Sequence, residues 1–268
     1  MKVHLNNVEE TLLIPLWGRA QASRAHNSLL NDAKAIEIID QIDYDFSKLA
    51  RRQIFRRDFW FIIRAKQFDD KIKAYIAEHP RASIVNIGAG LDTTFYRVDN
   101  GSIRWYDLDL PHVIDIRRQL LPETDRTTLI RRSIFDPSWY SDVKHTQDGV
   151  FLMAAGVLFY FDAAQVRPFF SSLADNLPGA EIVFDTLPKL AVFFMNWNVR
   201  KAGIKGAAVK WALRDANEIT KWDDRITVID QVPLFRNIPR DPSWGIGTGG
   251  FMDFSDKFKI LNIFHLRV

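Results

Sequence analysis

Residues 82–111 read ASIVNIGAGLDTTFYRVDNGSIRWYDLDLP, and this stretch decides the fold. Ser83 to Ile87 is a short apolar run with β-branched residues, the pattern of a buried strand. It runs into Gly88-Ala89-Gly90, where two glycines let the backbone turn tightly and approach a ligand closely. Ile103 to Tyr106 reads as a second strand closing on Asp107 and Asp109. These acids follow Gly88 by 19 and 21 residues, about the ~20-residue spacing at which a second-strand acid meets a ribose. The pattern places an adenosine-containing ligand on the first two strands of an open α/β sheet. A GxG turn alone is weak and also describes a plain strand-turn-helix corner; the downstream acids favour the ligand.

The ligand can be narrowed. A pyrophosphate fingerprint has a third glycine where this chain has Thr93. Asp92 sets a carboxylate where an anionic phosphate would arrive, which is repulsive. A nicotinamide-dependent oxidoreductase is therefore disfavoured. A cofactor with a ribose but no phosphate fits better, and S-adenosyl-L-methionine is the common one.

The rest of the composition sets bounds. A chain of 268 residues forms one large domain, or one domain with a lid, and buries a sizeable core. Apolar residues make up 47%, which excludes a disordered chain. With no cysteine there is no disulfide, no thiolate nucleophile and no cysteine-bound metal. The start, MKVHLNNVEE, has no apolar signal core, and Gly149 to Phe161 is too short an apolar stretch to span a bilayer. A cytoplasmic protein with no membrane partner is expected. Net charge is +3, and the one dense basic cluster, Arg51, Arg52, Arg56 and Arg57, reads as a solvated helix face and not a nucleic-acid site. The six histidines show no metal-like spacing, so no metal is expected.

Along the chain, residues 9–79 read as helical, with Ala35, Ile36, Ile38, Ile39 and Ile42 at helical spacing and Phe55, Phe59, Ile62, Ile63, Ile72 and Ile76 repeating it. Pro15 is expected to break or kink the first segment. Pro111 to Leu121 reads as a helix and Thr128 to Arg131 as a third strand. Residues 141–148 read as a surface loop. GVFLMAAGVLFYF holds a fourth strand, apolar enough to be buried on both faces of a parallel sheet. Ala163 to Asn176 is helical, Glu181 to Thr186 a fifth strand, and Ala191 to Gly206 an aromatic-rich helix. Arg225 to Asp230 and Phe258 to Val268 read as the last strands, with 236–250 as a loop. Strand and helix alternate from residue 82, which argues a doubly wound α/β sheet.

The loop NIGAGLDTTFYRVDNGSIRWYDLDLP resembles that of the leucine carboxyl methyltransferase family, in particular its bacterial branch. The resemblance extends over most of the chain, through ETLLIPLWGRAQAS, IIRAKQFDD, RRSIFDPSWY, GVFLMAAGVLFYF and LPGAEIVFDTLP, and weakens after Pro188. It implies a seven-stranded class I methyltransferase sheet with an antiparallel last strand. Residues 1–80 form a helical cap integral to the domain and 81–268 the α/β core, with an insertion around 188–224 that closes the substrate pocket. The implied cofactor is S-adenosyl-L-methionine, and the implied activity is methyl transfer to a carboxylate or hydroxyl oxygen.

The resemblance also assigns residues. Arg64 grips the methionine carboxylate, although its spacing alone describes a solvated helix arginine. Gly88, Ala89 and Gly90 form the turn, Asp109 and Leu110 meet the ribose, and Ile134, Phe135 and Asp136 meet the adenine. Ala155 and Tyr160 follow the fourth strand near the transferable methyl; Tyr160 is the candidate catalytic residue, although its periodicity alone favours a core position. The acceptor is expected to be a small molecule, polyketide-like or another metabolite, with a protein C-terminus as the alternative. Nothing in the sequence sets an oligomeric state.

Two positions depart from the family. Many relatives carry arginine at the position of Thr94 and glutamate at that of Ala155. Lost together, two facing charges leave a neutral site, so a more apolar pocket that still binds cofactor is expected. The absent glutamate also keeps open a protein that binds the cofactor without catalysing.

Overall fold

The structure is a computed structural model that describes residues 7–24, 29–47, 59–201, 208–241, 244–245 and 247–268. Strand β1 (Ser83–Ile87) is buried at every residue, as its apolar, β-branched sequence requires. It is flanked by β2 (Arg104–Asp109) and β4 (Val150–Ala154), both parallel to it. β3 (Thr127–Arg131) extends one edge, and β5 (Glu181–Thr186) lies beyond β4. β7 (Asn262–Arg267) runs antiparallel between β5 and β6 (Thr227–Pro233). The order β3-β2-β1-β4-β5-β7-β6 reverses between β1 and β4, the point at which doubly wound sheets bind ligands at their carboxyl ends.

Alternation along the strands divides the core. Val85 and Ile87 of β1 join Leu152 and Ala154 of β4 on one face, against Phe169, Phe170 and Leu173 of a helix at Ala163–Asn176. Ile84, Phe151 and Met153 face the other way, onto Ile63, Phe68 and Ile72 of a helix at Phe59–Glu78. In chain order the helices are α1 (Asn7–Arg24), α2 (Ala33–Gln41), α3 (Phe59–Glu78), α4 (Thr94–Val98), α5 (Pro111–Leu120), α6 (Ala163–Asn176), α7 (Lys189–Lys201), α8 (Asn217–Thr220) and α9 (Thr248–Phe258). A third cluster joins Leu13, Leu16 and Ala20 of α1 to Ala35, Ile38 and Ile39 of α2. Leu91 and, from α5, Ile116 and Leu120 complete it, so the amino-terminal helices pack onto the loop after β1.

Several expectations need correction. α1 runs unbroken through Pro15, where burial of Leu13, Leu16 and Ala20 outweighs the hydrogen bond that proline removes. Asp107 and Asp109 belong to β2 itself and do not follow its end. The segment Phe258–Val268 is not one strand: Phe258 ends α9, Lys259 turns in the left-handed conformation, and β7 starts at Asn262. α9 also takes the last residues of the expected 236–250 loop, and β6 spans Thr227–Pro233 where Arg225–Asp230 was expected. The expected 141–148 surface loop is mostly exposed and contains the end of one 3-10 turn (Pro137–Asp142) and a second at Thr146–Asp148. The four-arginine cluster and Phe55 lie outside the described residues. Among the described residues no helix is long and apolar enough to cross a membrane, and no cluster of candidate metal ligands occurs.

At the amino end of β5, Glu181 Oε2 lies 2.8 Å from His265 Nε2, and Oε1 accepts from Arg267 at 2.7 Å. Burial pushes Glu181 upward, but these two partners outweigh it and hold the carboxyl below its ordinary 4.5. Its ionised form therefore stabilises the fold above that pH, and the contribution is lost as pH falls below it. Glu181→Gln is expected to cost roughly 1–3 kcal/mol near neutral pH in urea unfolding, with the gap from the parent shrinking below about pH 4.5.

Candidate active site

The loop after β1 turns back onto β2. Gly88 (φ +64°) and Ala89 both donate their N–H groups to the Leu108 carbonyl, at 2.8 and 3.2 Å. A Cβ on Gly88 would stand 2.5 Å from Val157 Cγ2, so the turn is closely backed by the segment after β4. Gly90 (φ +46°) donates its N–H to Asp109 Oδ2 at 2.8 Å, and Leu110 N–H reaches Asp109 Oδ1 at 2.7 Å. Burial raises the Asp109 carboxyl above its ordinary value against these two donors.

The two acids of β2 have different environments. Asp107 is buried, with Oδ1 accepting from Asn86 Nδ2 at 2.9 Å and Trp105 Nε1 at 2.8 Å, and Oδ2 from Arg117 at 2.7 Å. It is a structural acid. Asp109 stands beside the glycine turn at the carboxyl end of β2, next to the exposed Leu110. Arg117 of α5, also buried, donates to the carbonyls of Gly90 at 3.0 Å and Asp92 at 2.8 Å, clamping the loop onto Asp107.

A second buried network ties the amino-terminal helices to the same loop. Asp32, the N-cap of α2, is fully buried and takes the Ala35 N–H on Oδ1 at 3.0 Å. Its Oδ2 accepts from Arg19 of α1 at 2.9 Å, from the Thr93 hydroxyl at 2.6 Å and from Arg97 of α4 at 2.7 Å. Arg97 also grips Asp69 of α3 with two parallel bonds, at 2.8 and 2.9 Å. Arg19 reaches the Leu91 carbonyl at 3.2 Å. Asp92 accepts the Thr94 N–H at 2.8 Å; burial opposes its ionisation, yet Arg19 and Arg97 hold its carboxyl below the usual range. Thr93, at the position of the fingerprint's third glycine, is a member of this network through its hydroxyl.

Beyond β4 and β5 lies the third part of the site. Arg64 of α3 packs over Gly156 (φ +76°), where a Cβ would lie 2.6 Å from Nη1. Its Nη1 is 3.5 Å from Asp185 Oδ2, while Asp185 Oδ1 accepts the Gly156 N–H at 2.6 Å. Desolvation raises the Tyr160 phenol above its ordinary value, with Arg64 working against the rise and Asp185 adding to it. Tyr160 is 39% exposed and so is not a core residue. The Phe159 carbonyl beside it accepts from Lys210 and Trp211 N–H, at 2.7 and 3.1 Å. Asn196 of α7 holds Val209 with reciprocal 2.8 Å bonds.

Apart from Arg64 on α3, the sequence candidates therefore fall at or just after the carboxyl ends of four adjacent strands. Gly88 to Gly90 follow β1, Asp109 and Leu110 close β2, Ile134 to Asp136 follow β3, and Ala155 to Tyr160 follow β4. Asp136 caps a 3-10 turn, taking Ser138 N–H at 3.0 Å, and its side chain is 43% exposed. Ile134 is buried; Phe135 packs edge-on against Phe161. Arg64 and Asp185 place a cation and an anion beside residue 155. Thr94 is buried, and its Oγ1 accepts from Arg97 at 2.8 Å. Sequence reading missed Arg19, Asp32, Arg97, Arg117 and Asp185. The Asp69 signal was present in the Phe-Asp pair of IIRAKQFDD.

The donor set fits an adenosyl amino acid. A glycine turn without Cβ groups adjoins a carboxylate able to meet sugar hydroxyls, and a guanidinium able to meet a carboxylate stands across the sheet reversal. The turn itself can be tested by urea unfolding. Gly88→Ala is expected to cost roughly 1–3 kcal/mol more than Gly101→Ala. Both positions have positive φ, but a Cβ on Gly101 meets nothing within 4 Å.

Comparison with known proteins agrees with this geometry. Over 212 residues the chain is 29% identical to the tetracenomycin polyketide synthesis O-methyltransferase of Streptomyces glaucescens, covering 79% of this chain and 77% of that one. It is 26% identical over 277 residues to an S-adenosyl-L-methionine-dependent methyltransferase of Gibberella zeae, covering 97% and 93%. A solved structure from Thermobifida fusca, described as a candidate methyltransferase, superposes with a TM-score of 0.58 at 17% identity over 93% of each chain and shares the fold. The leucine carboxyl methyltransferase family matches residues 13–174, more than half of the chain. The chain belongs to the leucine carboxyl methyltransferase family and is an S-adenosylmethionine-dependent methyltransferase.

Proposed function

We propose that the protein methylates a carboxylate or hydroxyl oxygen of a small, largely apolar molecule. The observation that carries this reading is the convergence of Asp109, the Gly88–Gly90 turn and Arg64 on the sheet reversal. Asp109 would hold the ribose, Asp136 the adenine amino group and Arg64 the methionine carboxylate. When bound, S-adenosylmethionine supplies a sulfonium methyl open to in-line displacement by an oxygen lone pair. The protein's part is to align that oxygen and exclude water.

The acceptor's character follows from what surrounds the site. α7 starts four residues after Asp185 and carries Leu190, Phe193 and Trp197, all more than half exposed. This face suits a flat or apolar acceptor; the Streptomyces glaucescens relative is by its name an enzyme of polyketide synthesis. Of the described histidines, His79 and His145 precede strands at their amino ends, and His265 is turned to Glu181, the first residue of β5. His112, exposed in the first turn of α5, is the one near the carboxyl ends. A carboxylate acceptor needs no base, because it is ionised at neutral pH. A carboxylate is therefore favoured over a hydroxyl.

Calorimetric titration with S-adenosylmethionine tests the reading. Binding by the parent protein is expected, and Arg64→Ala should weaken it by roughly 1.5–3 kcal/mol through loss of a charge-assisted bond. NAD should give no heat. With an acceptor in hand, His112→Gln is expected to keep turnover near the parent's. A loss of about a hundredfold or more would mark it as a general base and point to a hydroxyl acceptor.

A further inference from the structure

We infer that Asp185 is the residue that receives the ammonium of the cofactor's amino-acid end, a role that position 155 cannot fill here. This rests on the reading of S-adenosylmethionine as the bound cofactor. The amino-acid end of that molecule is a zwitterion, so a site that holds it needs a cation and an anion side by side. Arg64 supplies the cation. Ala155 offers only a methyl group.

The sheet register brings the anion. Ala154 of β4 pairs with Phe184 of β5, so Asp185 lies one step further along, level with residue 155. Its Oδ1 is fixed by the Gly156 N–H at 2.6 Å, immediately after Ala155. Oδ2 is turned to Arg64 but lies 3.5 Å from Nη1. Arg64 makes no hydrogen bond among the described residues, although its side chain is only 22% exposed. A largely buried guanidinium with open donors, beside a carboxylate with an open lone pair, is the arrangement a zwitterion would complete on both sides. Gly156 is needed for it, because any Cβ there would collide with Arg64 Nη1 at 2.6 Å.

The rival reading is that Asp185 merely neutralises Arg64 and must yield when a ligand carboxylate arrives. The two predict opposite signs. Under ammonium capture, Asp185→Asn weakens the ligand; under competition, it tightens it.

The test is calorimetric titration of the parent, Asp185→Asn and Asp185→Asn/Ala155→Glu with three probes. These are S-adenosylhomocysteine, its deaminated analogue lacking the ammonium, and 5′-methylthioadenosine lacking the whole amino-acid end. Asp185→Asn is expected to weaken S-adenosylhomocysteine at least tenfold while leaving methylthioadenosine within twofold. The parent should prefer S-adenosylhomocysteine to its deaminated analogue, and Asp185→Asn should erase most of that preference. Ala155→Glu on the Asp185→Asn background should restore part of it. Unchanged or tighter binding of S-adenosylhomocysteine by Asp185→Asn would overturn the inference. Equal weakening of all three probes would also overturn it, by showing a structural role. Failure of the parent to bind any probe would overturn the cofactor reading itself, and the inference with it.

Discussion

The structure depends on one buried carboxylate. Asp32 draws together α1 through Arg19, α4 through Arg97, the loop through the Thr93 hydroxyl, and the first turn of its own helix through Ala35 N–H. Four donors satisfy a charge that would otherwise be costly to bury. Because Arg97 also grips Asp69, the same interaction fastens α3 to the loop. The helical cap and the cofactor loop are therefore one electrostatic unit, and α3, which carries Arg64 over Gly156, is fastened to it through Asp69. Removing one member of such a buried cluster leaves the others uncompensated, typically at about 3–5 kcal/mol.

Much of this was legible in the sequence where the chemistry is local. The apolar run Ser83–Ile87, the glycine turn and the acids that follow it identify β1, the turn and β2 because each feature lies next to its cause. The spacing does not separate Asp107 from Asp109; the structure does, because Asn86, Trp105 and Arg117 satisfy Asp107 from three directions. Asp92 and Thr93 argue against a phosphate. They are also members of the buried network, which spans some sixty residues of chain between Asp32 and Thr93 and leaves no periodic trace.

The misses share that origin. Pro15 looks like a helix breaker when propensity alone is weighed, yet tertiary packing carries α1 through it. α9 begins with two glycines after Thr248, a poor helical start, and is held by burial of Met252 and Ser255. Asp185 sits in a strand that reads as ordinary, and its importance appears only when the register sets it level with residue 155. The expectation of a more apolar pocket weighs positions 94 and 155 as a pair. A charge supplied from the neighbouring strand is invisible to that comparison.

The most direct test of this account asks whether the cap network governs cofactor binding. Amide hydrogen exchange and calorimetric titration with S-adenosylmethionine would be measured together on the parent and on Asp32→Asn. The account predicts faster exchange for the amides of Gly90 to Thr94, unchanged protection in β4 and β5, and cofactor affinity reduced at least tenfold. Faster exchange confined to α1 and α2, with cofactor affinity unchanged, would contradict it.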